Sequence, residues 1–231
     1  MSLIQGSTKV VATPKVITGS YTAQASSSSN ASSFTFSSLS FGTADATRVL
    51  AVTVSTGWNG AIGSISSVTA GGVSLSKQIG AEGISSGIEN FRAEIWSGAV
   101  PSGTSGSVVV TLSTATGNNR GCAVTVHRLV GDVQTSASST AFEDNDSGSA
   151  VTYNVNVNTK ADGYLVGGVG AFQATSFAWT GATERMDLST INLRHGAASF
   201  STTTDQTPRT VSATQSGGYQ GAGVAAAWHP V

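Results

Sequence analysis

Residues 151–157 read Val151-Thr152-Tyr153-Asn154-Val155-Asn156-Val157, and this heptad sets the fold class. Side chains along an extended chain point alternately to opposite faces. Val151, Tyr153, Val155 and Val157 therefore share one face, and Thr152, Asn154 and Asn156 the other, which predicts a half-buried β-strand. Working outward, residues 48–55 (RVLAVTVS) are apolar on both faces, as a central strand should be. Ala70-Gly71-Gly72-Val73 stands between two alternating runs and signals a hairpin. Phe34 and Phe36 alternate with Ser and Thr, whereas Leu39 and Phe41 take the opposite phase, so a bulge or bend is expected between them. Further strand signals cover residues 91–100, 108–112 and 121–129.

The composition agrees. Of 231 residues, 39% are hydrophobic, much of that Ala and Val, and only 10% are charged, against about 25% in an average globular chain. Thr and Val are stiff at χ1 and suit a pleated surface, while Ser and Asn compete with helical backbone bonding. The chain is predicted to be all-β, with helix minor. It holds 11 basic and 12 acidic residues, a net charge of −1, with no basic stripe, which argues against direct contact with nucleic acid. Nothing reaches the ~18 apolar residues of a membrane span, and the N-terminal residues lack the pattern of a signal peptide. The single cysteine, Cys122, is expected as a buried small hydrophobe.

The later strands restate the earlier ones. Residues 163–172 (GYLVGGVGAF) resemble residues 48–58 (RVLAVTVSTGW), with Leu165 answering Leu50. Leu193-Arg194 answers Phe91-Arg92. Thr114-Ala115-Thr116-Gly117, then Gly121 and Val124, matches Thr214-Gln215-Ser216-Gly217, then Gly221 and Val224. This weak internal duplication allows two tandem domains or one sandwich that interleaves both halves around a single core. The second is preferred, because no linker divides the halves cleanly. The expected fold is an antiparallel, jelly-roll-like β-sandwich over residues 34–231, preceded by an extended N-terminal arm and linker over residues 1–33. Within the arm, Val10, Val11, Val16 and Ile17 are candidates for contact with a neighbouring subunit.

Few residues point to chemistry. His127, His195 and His229 lack metal-ligand spacing and read as structural or surface residues. Glu143-Asp144-Asn145-Asp146-Ser147-Gly148 alternates oxygen ligands before a glycine, so Asp144 and Asp146 are candidate calcium ligands. The downstream bidentate Glu of a calcium-binding helix–loop–helix is missing. Gly167-Gly168-Val169-Gly170 has no Gly-Lys-Ser/Thr signature and suits close sheet packing instead. Trp96 and Trp228 are expected inside. Trp58, in a polar loop, is expected to be exposed and, with Asn118, Asn119 and Tyr219, is a candidate platform for a glycan or protein partner. Glu94 lies two residues from Arg92, on the same strand face, and is expected to pair with it. No catalytic residue can be singled out, and no cofactor other than calcium is suggested.

The order RVLAVTVS (48–55), SSVTAGGVSLSKQIG (66–80), ENFRAEIWSGAVPSGTSGSVVVTLS (89–113) and RGCAVTVHRLVG (120–131) resembles jelly-roll or concanavalin-like β-sandwiches of phage and prophage virion proteins. The shared features are the hairpin from Val68 to Leu75, the strand ending in a small-residue turn from Trp96 to Pro101, and the Val/Thr run after it. The resemblance spans residues 48–231 and carries no catalytic residues. It implies a non-enzymatic role at the virion surface: head decoration, spike, or a tail or fibre component. It also implies capsid or tail subunits as partners, homo-oligomerisation (a trimer, for example) and synthesis in the bacterial host cytoplasm. A carbohydrate-binding adhesin module for host-surface glycans is the alternative.

Overall fold

The computed structural model describes residues 13–60, 63–84, 89–113, 118–145, 151–218 and 220–231. Among them every regular element is a strand. The first half contains β1 (Ile17–Ser27), β2 (Ser33–Ser40), β3 (Val49–Asn59), β4 (Ile65–Ala70), β5 (Val73–Ser74), β6 (Ser76–Ile84), β7 (Glu89–Ala99), β8 (Ser105–Leu112) and β9 (Asn118–Gly131). The second contains β10 (Ser139–Asn145), β11 (Thr152–Thr159), β12 (Gly163–Phe172), β13 (Ser176–Thr180), β14 (Thr183–Ser189), β15 (Leu193–Thr202), β16 (Gln206–Ser216) and β17 (Gly221–Trp228).

The sheet orders make the duplication explicit. The first half forms a five-stranded sheet, β1-β9-β3-β7-β6, and an outer sheet, β2-β8-β4-β5. The second forms β10-β17-β12-β15-β14 and β11-β16-β13. Position by position these are the same arrangement, with β5 alone lacking a counterpart. All pairings are antiparallel. From β1 to β4, and again from β10 to β13, the chain crosses to the other sheet at each successive strand.

Four layers result. Phe34, Phe36, Phe41, Leu50, Val52 and Val110 fill the space between the first pair of sheets. Val155, Val157, Leu165 and Val211, with Tyr153 and Phe177 beside them, fill the second pair. The five-stranded sheets pack back to back, burying Val49, Ala51, Phe91, Ile95, Tyr164, Leu193, Val224 and Trp228 between them. The expectation of one interleaved core is thereby corrected: each half closes its own sandwich, and a third core joins the two. The sequence carries the reason. β3, β12 and β17 are buried on both faces, so each inner sheet needs a cover on either side.

Glycines set the distance between the inner sheets. A β-carbon on Gly170 would lie 1.6 Å from the Phe91 ring, and one on Gly57 would lie 2.6 Å from Leu193. Each half thus seats an apolar knob on a glycine in the other half's central strand. Tyr164 covers Gly19 in the same way, and Gly83 meets the backbone of Gly221.

Several sequence expectations are met. Gly71 and Gly72, both at positive φ, form the two-residue turn joining β4 and β5. The register shifts in β2 between Phe36 and Leu39. In β11, Tyr153, Val155 and Val157 are buried while Asn154 and Asn156 are exposed. Cys122 is fully buried, and desolvation pushes its thiol pKa up.

The arm is different. Val10 and Val11 lie outside the described residues, but residues 17–27 form an edge strand of the first sandwich, paired with β9. Their polar composition reflects an edge strand half exposed to water, and β1 corresponds to β10 in the repeat. The repeat itself needs one correction. Val124 faces the outer sheet of its half, whereas Val224 faces the other half. The β3–β9 register shifts beside Gly121, which adopts a φ of 110°. A one-residue slip turns every later side chain to the other face, so the 100-residue offset fails beyond that bulge.

Candidate functional site

Charge is stripped from the two outermost sheets. Along β2, β4, β5, β8, β11, β13 and β16, Arg209 is the one charged residue. It is held by the Gly181 carbonyl at 2.6 Å and lies over the Phe200 ring at 4.2 Å. The surfaces left are ladders of hydroxyls and amides. On the second half, Thr210 donates to Asn156 Oδ1 at 2.7 Å, Ser212 donates to Asn154 Oδ1 at 2.7 Å, and the Thr152 and Thr214 hydroxyls meet at 2.9 Å. These are cross-strand pairs on one face of β11 and β16. On the first half, Ser33, Thr111 and Ser67 share a register row across β2, β8 and β4. The second-half face is pre-ordered by these bonds, and both faces are polar without being ionic.

Between the halves lies a buried polar seam. Thr53 and Thr125 hydroxyls meet at 2.5 Å, and Thr125 Oγ1 lies 3.1 Å from His127 Nε2. His127 Nδ1 reaches Tyr164 at 3.4 Å, Tyr164 donates to Ser199 Oγ at 2.8 Å, and Arg185 Nε donates to the same oxygen at 2.9 Å. A second chain places Ser55 Oγ 2.7 Å from His195 Nδ1 and Thr190 Oγ1 2.8 Å from His195 Nε2. The Ser55–His195 contact resembles a nucleophile–base pair. However, His195 is fully buried and its second nitrogen faces a hydroxyl rather than an orienting carboxylate. The seam joins strands of both halves.

Burial pushes both imidazoles down to about 3, with Arg185 adding to the effect at His127 and Arg194 at His195. Unfolding returns them to ordinary values near 6.5. The unfolded chain therefore binds more protons as pH falls below about 6.5, and stability is lost from there down toward the folded value. At about pH 4.5 the loss is on the order of 2–3 kcal/mol per imidazole. Thermal unfolding between neutral pH and about pH 4.5 should show a steep drop, flattened in a His127→Gln/His195→Gln double variant. An equally steep drop in that variant would place the acid sensitivity elsewhere.

Charged side chains gather on the inner sheets. Arg92 pairs with Glu94 at 3.1 Å, as expected, and also with Glu82 across the β6–β7 ladder. Glu94 is fully buried and accepts from Trp96 Nε1 at 2.7 Å. In the second half, Arg194 holds Asp187 in a bidentate pair at 2.5 and 2.8 Å. Arg92 and Arg194 occupy equivalent strands, and each is paired with an acid on the adjoining edge strand. The sequence match of Phe91-Arg92 with Leu193-Arg194 already contained this signal. The acids on β6 and β14 fall outside the matched stretches, which concealed their partnership.

The remaining candidate residues are dispersed. Trp58 is 1% exposed, because β3 continues through it to Asn59 and turns the indole into the first core. It is not a surface platform, and the adhesin reading loses its aromatic anchor. Ile17 is buried between the halves, whereas Val16 is exposed. Asn118 and Asn119 open β9, and Tyr219 lies outside the described residues, as does Asp146. Asp144 is exposed and accepts the Glu82 amide at 3.2 Å. Among the described residues, no three His, Cys, Asp or Glu side chains group as metal ligands. No helix there is long and apolar enough to cross a membrane.

No protein-family model matches this chain, and no curated protein matches its sequence.

Proposed function

We propose that the chain is a non-enzymatic structural component of a phage virion, a head decoration, spike or tail-associated protein built from two tandem jelly-roll sandwiches. The observation that carries this reading is the near absence of charge from both outer sheets. A free soluble domain ordinarily covers its outermost surface with Lys, Glu and Arg. Here the second-half face presents a hydroxyl and amide ladder already locked by internal hydrogen bonds, and the first-half face a row of short hydroxyl side chains, so a neighbouring subunit would meet them at little cost in side-chain ordering. The back-to-back inner sheets make the chain a stiff block with two such faces pointing in opposite directions. That suits a bridging or decorating role, in which repetition on a particle adds avidity to individually weak contacts.

The test is an inventory of purified particles. The protein is expected at a fixed stoichiometry to the major capsid or tail subunit, and it should bind stripped particles on re-addition. Its absence from particles, with all of it recovered as free chain, would refute the reading.

A further inference from the structure

The two inner sheets, stacked back to back, leave two flanks. On one, edge strand β6 lies beside β10; on the other, edge strand β14 lies beside β1. Both β6 and β14 carry a bulge, with Gln78 extra opposite Trp96 and Ile95, and Arg185 extra opposite Ala198 and Ala197. Phe91-Arg92 matches Leu193-Arg194 along the same pair of neighbouring strands, so the two bulges occupy the same place in the repeat. A bulge re-aims a side chain. Gln78 and Arg185 are therefore equivalent residues, each free of its strand's alternation.

The first flank is shut by the protein itself. Gln78 Oε1 accepts the Ala137 amide of the other half at 2.8 Å, and Asp144 accepts the Glu82 amide at 3.2 Å. The second flank is not. Among the described residues no hydrogen bond joins β1 to β14. Arg185 Nε donates to Ser199 Oγ at 2.9 Å in its own sheet, while its Nη atoms meet no protein acceptor and are reached by solvent. Arg92 and Arg194 are each paired with acids, but Arg185 has none among the described residues. It is also the one charged group acting on Tyr21, His127 and Tyr164, so no carboxylate lies near enough to offset it. Tyr21 stands on the β1 side, cross-strand from His127 with the two rings edge-on at 5.8 Å. It is half-buried, and its hydroxyl has no protein partner and is open to solvent.

We propose that the β1–β14 flank is a binding site for a carboxylate, held by the Nη atoms of Arg185 with the Tyr21 hydroxyl as a further donor. The planar guanidinium fork matches the paired oxygens of a carboxylate. A lone cation on a chain of net charge −1 suits a monoanion better than a doubly charged phosphate. The buried Tyr164 and His127 side chains, beside Ser199 and Tyr21, keep water from the inner side of the site, which strengthens the pair relative to a fully exposed one. The site goes beyond the assembly reading and does not depend on it.

The test is a titration of the full chain with sodium acetate at constant ionic strength, chloride being the balancing anion, followed by NMR at the Arg185 Nε–H and Tyr21 ring signals. Saturable shifts are expected, with a dissociation constant on the order of 5 mM. Arg185→Gln should abolish saturation at Tyr21. Tyr21→Phe should weaken binding about threefold, the loss of one hydrogen bond. It keeps the ring against His127, so it tests the hydroxyl even where Arg185→Gln loosens the flank. Inorganic phosphate should bind more weakly than acetate. The end-blocked peptide acetyl-Gly-Glu-Gly-amide separates two sources of the carboxylate. Binding at least ~fivefold tighter than acetate assigns it to a protein partner, and equal or weaker binding to a free organic acid. A shift that stays linear to ~100 mM acetate, one that chloride reproduces, an unaltered response in Arg185→Gln, or phosphate binding tighter than acetate would each overturn the proposal.

Discussion

Gly170→Ala is expected to destabilise the chain by about 3 kcal/mol, an unusual cost for a single methyl group. Ordinarily a strand glycine replaced by alanine gains a little from reduced chain entropy. At Gly170 the new β-carbon would fall 1.6 Å from the Phe91 ring, closer than any non-bonded contact. The ring has nowhere to move: Phe91 is buried between the two inner sheets, among Ala93, Leu193 and Ala222. The halves must separate locally or Phe91 must leave its rotamer. Urea unfolding would measure the loss, and the double variant with Phe91→Ala identifies its cause. Phe91→Ala alone removes a large buried ring, at about 3–5 kcal/mol. If the clash is the mechanism, adding Gly170→Ala to it costs almost nothing, and the cycle is strongly non-additive. Additive losses would show that the glycine matters for another reason.

Arg48→Met is expected to cost about 3–5 kcal/mol, the range for leaving buried polar groups without a partner at several sites at once. Arg48 is fully buried and donates to Val100 O at 2.6 Å, Ser102 O at 2.6 Å, Gly42 O at 3.2 Å, Thr43 O at 3.3 Å and Phe41 O at 3.4 Å. One guanidinium thus ties the β2–β3 loop to the β7–β8 turn. A methionine fills the volume but strands those carbonyls in an apolar environment. Arg48→Lys should recover little, since one ammonium cannot reproduce a planar fork spread over two loops. Amide exchange at Asp45 and Val100, which bond to Pro101 and Arg48 carbonyls, should accelerate more than exchange in the second half. Equal acceleration throughout would mean that the loops are not a local unit.

Much of the fold was legible in the chain. The 151–157 alternation became β11 with the predicted face inward, and RVLAVTVS became a strand buried on both sides. The glycine hairpin and the phase change after Phe36 were likewise readable, because turns and bulges are local matters of φ and periodicity. The candidate site was less so. Trp58 looked like a loop residue among Gly57, Asn59 and Gly60, yet strand pairing with Asn90 and Asn119 carries β3 past it. The uncharged outer faces were present in the composition, but which strands lie outermost depends on layer order.

By itself, the sequence determined that this protein is all-β, that some strands are covered on both faces, and that its two halves repeat one pattern. These properties follow from a period-two alternation that holds wherever the strand is placed. Only the tertiary structure decided that the halves close separate sandwiches and meet back to back, with Phe91 on Gly170 and Leu193 on Gly57. It also decided that a single bulge at Gly121 breaks the repeat's register. The physical reason is that the hydrophobic effect is non-directional. It demands a cover for each apolar face, and shape complementarity between distant residues selects which one.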